Sequence, residues 1–128
     1  MNSRDSFLNE FRGQTLGEIS SQSSEEEAFQ NATLRPILKL QNDLIIATFQ
    51  LYLNQTKIPF KDYSLDKKMK TIEVALLKDI PFQNMLRGIV LGLFTLNEYS
   101  LYSKNTSGFN KRIRSMLIER LQSQLQLI

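Results

Sequence analysis

The most apolar stretch of the chain, residues 81–102, carries its large apolar side chains at steps of three and four. This spacing puts them on one face of a helix. Leu91 and Phe94 fall on the opposite face, so we expect neighbours to cover this helix from more than one direction. The side chains of the first face are Phe82, Met85, Leu86, Ile89, Val90, Leu93 and Leu96.

Two glycines, Gly88 and Gly92, stand four residues apart inside this predicted helix. A glycine within a helix is about 1 kcal/mol less favourable than an alanine, so the pair needs a structural reason. We expect a close crossing of another helix there. The alternative is a slot for a flat ligand, bordered by Thr95 and Tyr99.

A second long helix is predicted over residues 24–55, because Ser23 or Ser24 followed by Glu25–Glu27 is typical of a helix start rather than of a metal site. A bend is expected at Arg35–Pro36. This helix is apolar on two sides, which is typical of a central helix or one shared with a second subunit. The main face is predicted to hold Ile37, Leu40, Leu44, Ile45, Thr48, Leu51 and Tyr52, and the second stripe Ile46, Phe49 and Leu53.

The remaining segments complete an all-helical pattern. Residues 56–63 read as a loop, Ser64 begins a helix that runs to about Lys78, and Asp79 starts the next one. Asn105, Thr106 or Ser107 begins the last. Residues 1–23 form an N-terminal arm whose short helix ends at Gly13. We therefore predict an all-α fold: a single-domain bundle of four principal helices (24–128) plus the short N-terminal helix or arm.

Histidine and cysteine are both absent. The chain therefore has no imidazole base, no thiolate nucleophile and neither of the usual zinc ligands, and we predict no metal site and no cofactor. The longest strongly apolar run, 89–96, is far shorter than the ~20 residues of a membrane span. Charges near the N-terminus differ from a signal peptide, so a cytoplasmic protein is predicted.

Three inward-facing polar residues, Gln41, Arg120 and Gln124, form one candidate site. Polar groups on an inward face need partners, because an unpaired buried group costs about 1–3 kcal/mol. Arg120 would hold an anionic ligand that the two amides orient. The structural alternative is that Arg120 pairs with a carboxylate such as Glu98, or extends to solvent.

Basic residues form a second candidate site. Residues 65–128 carry ten Lys and Arg against five Asp and Glu, whereas residues 1–64 carry six against eight. A cluster at Lys104, Lys111, Arg112 and Arg114 is the candidate phosphate or nucleic-acid site, with Lys67, Lys68 and Lys70 as a second patch. We favour a solvated helix face over a nucleic-acid partner here, because solvation explains most such runs of basic residues.

Three segments resemble a family of short bacterial all-helical proteins, some of whose members are labelled glyoxalase. They are RGQTLGEIS at 12–20, FQNATLRPILKLQND at 29–43 and NKRIRSMLIERLQSQ at 110–124. The resemblance implies an all-helical fold over nearly the whole chain. Glyoxalase I enzymes hold their metal with histidines and glutamates on βαβββ units. Since this chain has no histidine, it offers no position for those catalytic residues.

These observations favour a non-enzymatic protein-interaction module that acts as a homodimer. Its predicted interface consists of Ile46, Phe49, Leu53, Leu91 and Phe94. One alternative is a small-molecule-binding or lyase-type helical protein that uses Gln41, Arg120 and Gln124. The other is a nucleic-acid accessory protein that uses the Lys104–Arg114 region.

Overall fold

The computed structural model describes residues 2–12 and 24–128, and every regular element in these ranges is helical. The predicted all-α class is confirmed for this part of the chain, whereas Gly13 and the rest of the predicted arm to residue 23 lie outside it. None of the helices described combines the length and apolarity of a membrane span. The helices are α1 (Ser3–Phe11), α2 (Glu25–Phe29), α3 (Arg35–Leu40), α4 (Asn42–Gln55), α5 (Leu65–Lys78), α6 (Ile80–Leu91), α7 (Leu96–Ser103) and α8 (Thr106–Gln122). Short 3-10 turns lie at Phe60–Asp62 and Leu125–Leu127.

Polar side chains cap four helix starts where the sequence predicts a cap. Each accepts a hydrogen bond from a backbone N–H in the first turn, which satisfies a donor that has no partner within the helix. The confirmed caps are Ser24 on α2, Ser64 on α5, Asp79 on α6 and Asn105 on α8.

The predicted long helix 24–55 is interrupted twice. A π-helical turn, Gln30–Leu34, joins α2 to α3 just before Pro36, whose missing N–H prevents a regular α-helical ladder there. The backbone then leaves helical geometry at Gln41 (φ −92°, ψ 5°). Each interruption changes which face of the following helix turns inward. Leu44 and Leu51 of the predicted main face are consequently about half exposed, at 50% and 53%.

The predicted single helix 81–102 is wrong, because two helices occupy this range. Helix α6 ends at Leu91, and Gly92 is its C-terminal cap. A capping box between Thr95 and Glu98 starts α7. We call residues 92–95 the α6–α7 turn. No helix crosses at Gly88 in the described part of the chain, since a Cβ added there would meet nothing within 4 Å.

The predicted interface residues lie in the core of the single chain. Ile46, Phe49 and Leu53 are 7%, 0% and 6% exposed, and Phe94 is 2% exposed. Leu91 is partly buried and packs against the same core. Their assignment to an interface between subunits is therefore corrected. The sequence pattern of an apolar stripe does not show whether the stripe packs within its own chain or against a second chain. The core also contains Leu34, Ile37, Leu38, Ile45, Ile72, Leu76, Phe82, Leu86, Val90, Ile113, Leu117 and Leu121.

Helix α1 docks on the α6–α7 turn chiefly through polar contacts. Arg4 donates to the carbonyl oxygens of Phe94 (2.8 Å) and Gly92 (2.9 Å). Arg12 donates to the Leu93 carbonyl oxygen (3.0 Å), and its two Nη atoms each lie 2.5 Å from an oxygen of Glu98. These three carbonyl groups lie in the α6–α7 turn and outside both helices, so the two arginines supply donors to them from α1.

Glu98 accepts hydrogen bonds from three parts of the chain. Besides Arg12, the Thr33 hydroxyl (2.7 Å) and the Thr95 backbone N–H (2.8 Å) donate to its carboxylate. Burial raises the pKa of Glu98, but the bonds from Arg12, Thr33 and Thr95 together outweigh it and hold the pKa below its usual value of 4.5. The carboxylate is thus held in its charged form.

This lowered pKa predicts acid sensitivity of the fold. The folded state binds the Glu98 proton less readily than the unfolded state, so the stabilisation is complete above about pH 4.5 and is lost as pH falls through the folded pKa. Urea unfolding measured from about pH 7 to about pH 3 should show this loss. In Glu98→Gln the free energy of unfolding should fall less steeply between pH 7 and pH 3. The exposed control Glu10→Gln should keep the wild-type pH dependence. The same loss of unfolding free energy at low pH in wild type and Glu98→Gln would contradict the prediction.

Candidate anion-binding groove

An open cleft of about 410 Å³ lies between α3 and α8. Residues of both helices line it, together with Gln30 from the π-helical turn that precedes α3. Both contribute cations to the cleft walls: Arg35 and Lys39 from α3, and Arg120 from α8. Other lining side chains are Gln30, Leu38, Met116, Glu119, Ser123 and Gln124.

The cleft continues along α8 towards its N-terminus. A neighbouring cleft of about 480 Å³ shares Gln30, Met116 and Glu119 with the first and adds Lys111 and Arg112. We call the two together the α3–α8 groove. It reaches from Gly108 to Gln124, just beyond the end of α8. The helical part, Gly108 to Gln122, is about 21 Å long at the helical rise of 1.5 Å per residue.

A network of amides positions Arg120 at one end of the groove. Its Nη1 donates to Asn42 Oδ1 (3.0 Å), and Asn42 and Gln124 exchange two hydrogen bonds of 2.7 and 2.8 Å. Gln124 also donates to the Arg120 carbonyl oxygen (2.9 Å). Burial lowers the pKa of Arg120, yet a guanidinium starts so high that it stays charged at neutral pH. The network therefore orients a cation without neutralising it.

Arg112 is positioned in the same manner nearer the other end. Its Nη1 donates to Gln30 Oε1, which the π-helical turn presents towards α8. An amide oxygen carries no net charge, so this contact also leaves the cation uncompensated. Arg112 and Arg120 lie eight residues apart on α8, or about 12 Å along its axis.

The groove concentrates positive charge. Arg35, Lys39, Lys111, Arg112 and Arg120 face one carboxylate, Glu119, which gives a net charge of +4 where the whole chain has +3. Ion pairs within 4 Å in the described residues are Arg4–Asp5 and Arg12–Glu98, and neither involves the groove. Cations that line one groove with a single carboxylate give it a positive potential, which attracts anions.

Of the three residues in the predicted polar site, the structure brings Arg120 and Gln124 together but not Gln41. The Gln41 side chain instead donates to the Ile89 carbonyl oxygen of α6 (3.1 Å), and its neighbour Asn42 takes the expected place beside Arg120. The alternative partner proposed for Arg120 is also wrong, because Glu98 pairs with Arg12.

The predicted basic cluster is divided by the structure. Lys111 and Arg112 line the groove, whereas Lys104 and Arg114 are not among its lining residues. In the second patch, Lys67 lies 4.0 Å from the centre of the Tyr63 ring and Lys68 lies 5.7 Å from that of Phe60. Those two lysines make cation–π contacts with their own chain.

The sequence reasoning missed Arg35, Lys39 and Asn42. Arg35 and Lys39 are four residues apart and so share a helix face, a signal that was present in the sequence. Nothing local showed that this face would line a cleft together with α8, because the lining residues of the two helices are about 80 positions apart in the sequence. Gln41 was predicted in place of Asn42, because either of these adjacent residues can point inward where a helix is interrupted.

The groove can bind and orient an anion. Guanidinium and ammonium groups donate to phosphate or carboxylate oxygens, and the amides of Gln30 and Gln124 add neutral hydrogen-bonding groups. The resemblance to the bacterial helical family stays a prediction. The chain matches no protein-family model, no curated protein and no solved structure.

Proposed function

We propose that this protein is a binding protein whose α3–α8 groove holds a phosphate-bearing ligand. The observation that carries the proposal is the convergence of five cations, two of them oriented by neutral amides, around one carboxylate. Arginine favours phosphate because its planar fork of N–H donors matches the phosphate oxygens. The proposal assigns binding, and no catalytic step, to these side chains.

In this proposal the four principal helices of the predicted bundle are α4, α5, α6 and α8, with α1 as the N-terminal arm. Contacts between α5 and α8, α5 and α6, α4 and α6, and α6 and α8 support that arrangement. The groove is then lined by α8 of the bundle and by α3, which is not one of the four principal helices. A ligand would reach it without opening the core.

The proposal predicts that tripolyphosphate binds saturably and that charge in the groove controls its affinity. Arg35→Ala combined with Lys39→Ala should weaken binding about 10- to 30-fold, because each exposed charge contributes roughly 1 kcal/mol at close range. Both side chains are exposed, so the fold should survive their loss. Isothermal titration calorimetry at low salt measures the effect.

Lys70→Ala combined with Lys104→Ala is the matched control. It removes the same charge from two exposed lysines that do not line the groove, and affinity should stay within about twofold of wild type if local contacts dominate. Equal weakening in the two double variants would show a general charge effect. That result, or no binding to wild type, would refute the proposal.

A second candidate function, self-association, is supported by an exposed apolar face along α4 and α6. We call it the α4–α6 face; it consists of Leu44, Leu51, Met85 and Gly88. Leu44, Leu51 and Met85 are 50%, 53% and 56% exposed, and Gly88 leaves open space. Helices α4 and α6 are in contact, and the rings of Tyr52 on α4 and Phe82 on α6 stack with their centres 4.2 Å apart. Because none of the four is charged, we propose that a second copy of the chain covers them without desolvating a charge.

Light scattering coupled to size-exclusion chromatography tests this second proposal. Wild type should elute at twice the chain mass, and Leu51→Asp with Met85→Asp should elute as a monomer. Leu65→Asp is a suitable control, because Leu65 is 65% exposed and lies on α5, outside this face. A monomeric wild type at about 100 μM would count against self-association.

A further inference from the structure

We infer that the ligand of the α3–α8 groove is single-stranded nucleic acid, bound through its phosphodiester backbone rather than through its bases. The inference rests on the proposed function and adds the class of ligand. Three features of the groove support it: its length, the spacing of its cations and the chemistry of its lining.

The groove is longer than a single phosphate group needs. Cations occur along its whole course, with Lys111 and Arg112 towards one end and Lys39 and Arg120 towards the other. The span from Arg112 to Arg120 is about 12 Å along α8. One phosphate cannot contact both arginines while each remains tied to its amide partner, whereas successive phosphates of a chain can.

The lining indicates how such a chain would be recognised. None of the side chains that the structure places along the two clefts is aromatic. Proteins that stack unpaired bases use aromatic platforms, so base stacking is not what this groove offers. Cations that follow the backbone instead give binding that depends on salt and only weakly on base sequence.

The shape of the site favours a single strand over a duplex. The groove is an open cleft along α8, which a thin, flexible chain can follow. Arg35, Lys39 and Lys111 are exposed, whereas Arg112 and Arg120 are half-buried. A flexible strand can bend towards all five cations, whereas a stiff duplex would meet chiefly the three exposed ones.

Fluorescence anisotropy with labelled oligouridylate and oligoadenylate of about twelve nucleotides tests the inference. The two strands should bind with affinities within about threefold, because the backbone is common to both. Raising salt from 50 to 200 mM should weaken binding roughly 15- to 130-fold, as expected for about three to five phosphate contacts. In the double variant Arg35→Ala with Lys39→Ala, the slope of log affinity against log salt should fall by about 1.4, whereas Lys70→Ala with Lys104→Ala should leave it unchanged.

Competing ligands separate the inference from the proposed function. If tripolyphosphate or uridine monophosphate binds in the groove as tightly as the strands, the groove takes a compact phosphate ligand: the inference fails and the proposed function stands. Tighter binding of a duplex, or equal binding of a polyglutamate peptide of similar length, would likewise overturn the inference. If neither strands nor tripolyphosphate bind, both fail.

Discussion

Replacing Arg12 with alanine is expected to lower the free energy of unfolding by about 3 to 5 kcal/mol, the range for breaking one side of a buried ion pair. The Glu98 side chain is 15% exposed and the Arg12 side chain 7% exposed. Without Arg12, Glu98 would remain buried with its charge unpaired, and the Leu93 carbonyl oxygen would lose a donor. Urea denaturation measures the loss.

Two further variants define the Arg12–Glu98 interaction. Arg4→Ala should cost only about 1 kcal/mol, because the Arg4 side chain is 50% exposed and water can replace it at the carbonyl oxygens. The double variant Arg12→Ala with Glu98→Ala should be less destabilised than the sum of the single variants, since no unpaired charge remains. A loss below about 1 kcal/mol for Arg12→Ala would show that the pair does not anchor α1.

The second large effect is expected for Phe49→Ala, which should cost about 3 to 5 kcal/mol by leaving a cavity in the core. Phe49 is fully buried, and its ring centre lies 5.6 Å from that of Phe60 and 6.0 Å from that of Phe82. Leu51→Ala, two residues away on the exposed side of α4, should cost less than about 1 kcal/mol in chain stability.

Protein concentration distinguishes a core role of Phe49 from an interface role. Substitution of a core residue lowers the free energy of unfolding by the same amount at every protein concentration, and we expect this for Phe49→Ala. If Phe49→Ala instead dissociated an oligomer and left the stability of the chain unchanged, the placement of Phe49 inside a single chain would be wrong. Unfolding curves at two concentrations, together with light scattering, provide both readings.

Local features of this fold were predictable, since their cause lies within a few residues. The caps Ser24, Ser64 and Asp79 are examples, because each side chain bonds a backbone N–H three positions away. The break after Leu91 was also readable, because Thr95 and Glu98 have the spacing of a capping box. We nevertheless predicted one continuous helix, because the apolar run across residues 89–96 continues the helical periodicity through the short turn.

Features that depend on distant contacts were not predictable from the sequence. Arg12 and Glu98 are 86 positions apart, and no pattern along the chain pairs them. The inward face of α4 was misassigned because periodicity identifies a stripe but not what covers it, and the interruption at Gln41 changed the orientation of the helix. In the groove, Arg120 and Gln124 were predicted from their spacing on α8. Arg35 and Lys39 could be assigned only with the knowledge that α3 and α8 line the same cleft.

The central claim, that the α3–α8 groove is the ligand site, is tested most directly by nuclear magnetic resonance. Isotope-labelled protein would be titrated with tripolyphosphate while the arginine side-chain N–H signals and the backbone amides are followed. We expect the largest shifts at Arg112, Arg120 and the α3 residues Arg35 and Lys39, with little change on α5. Largest shifts at Lys67, Lys68 and Lys70 on α5, or shifts spread evenly over the basic residues, would contradict it.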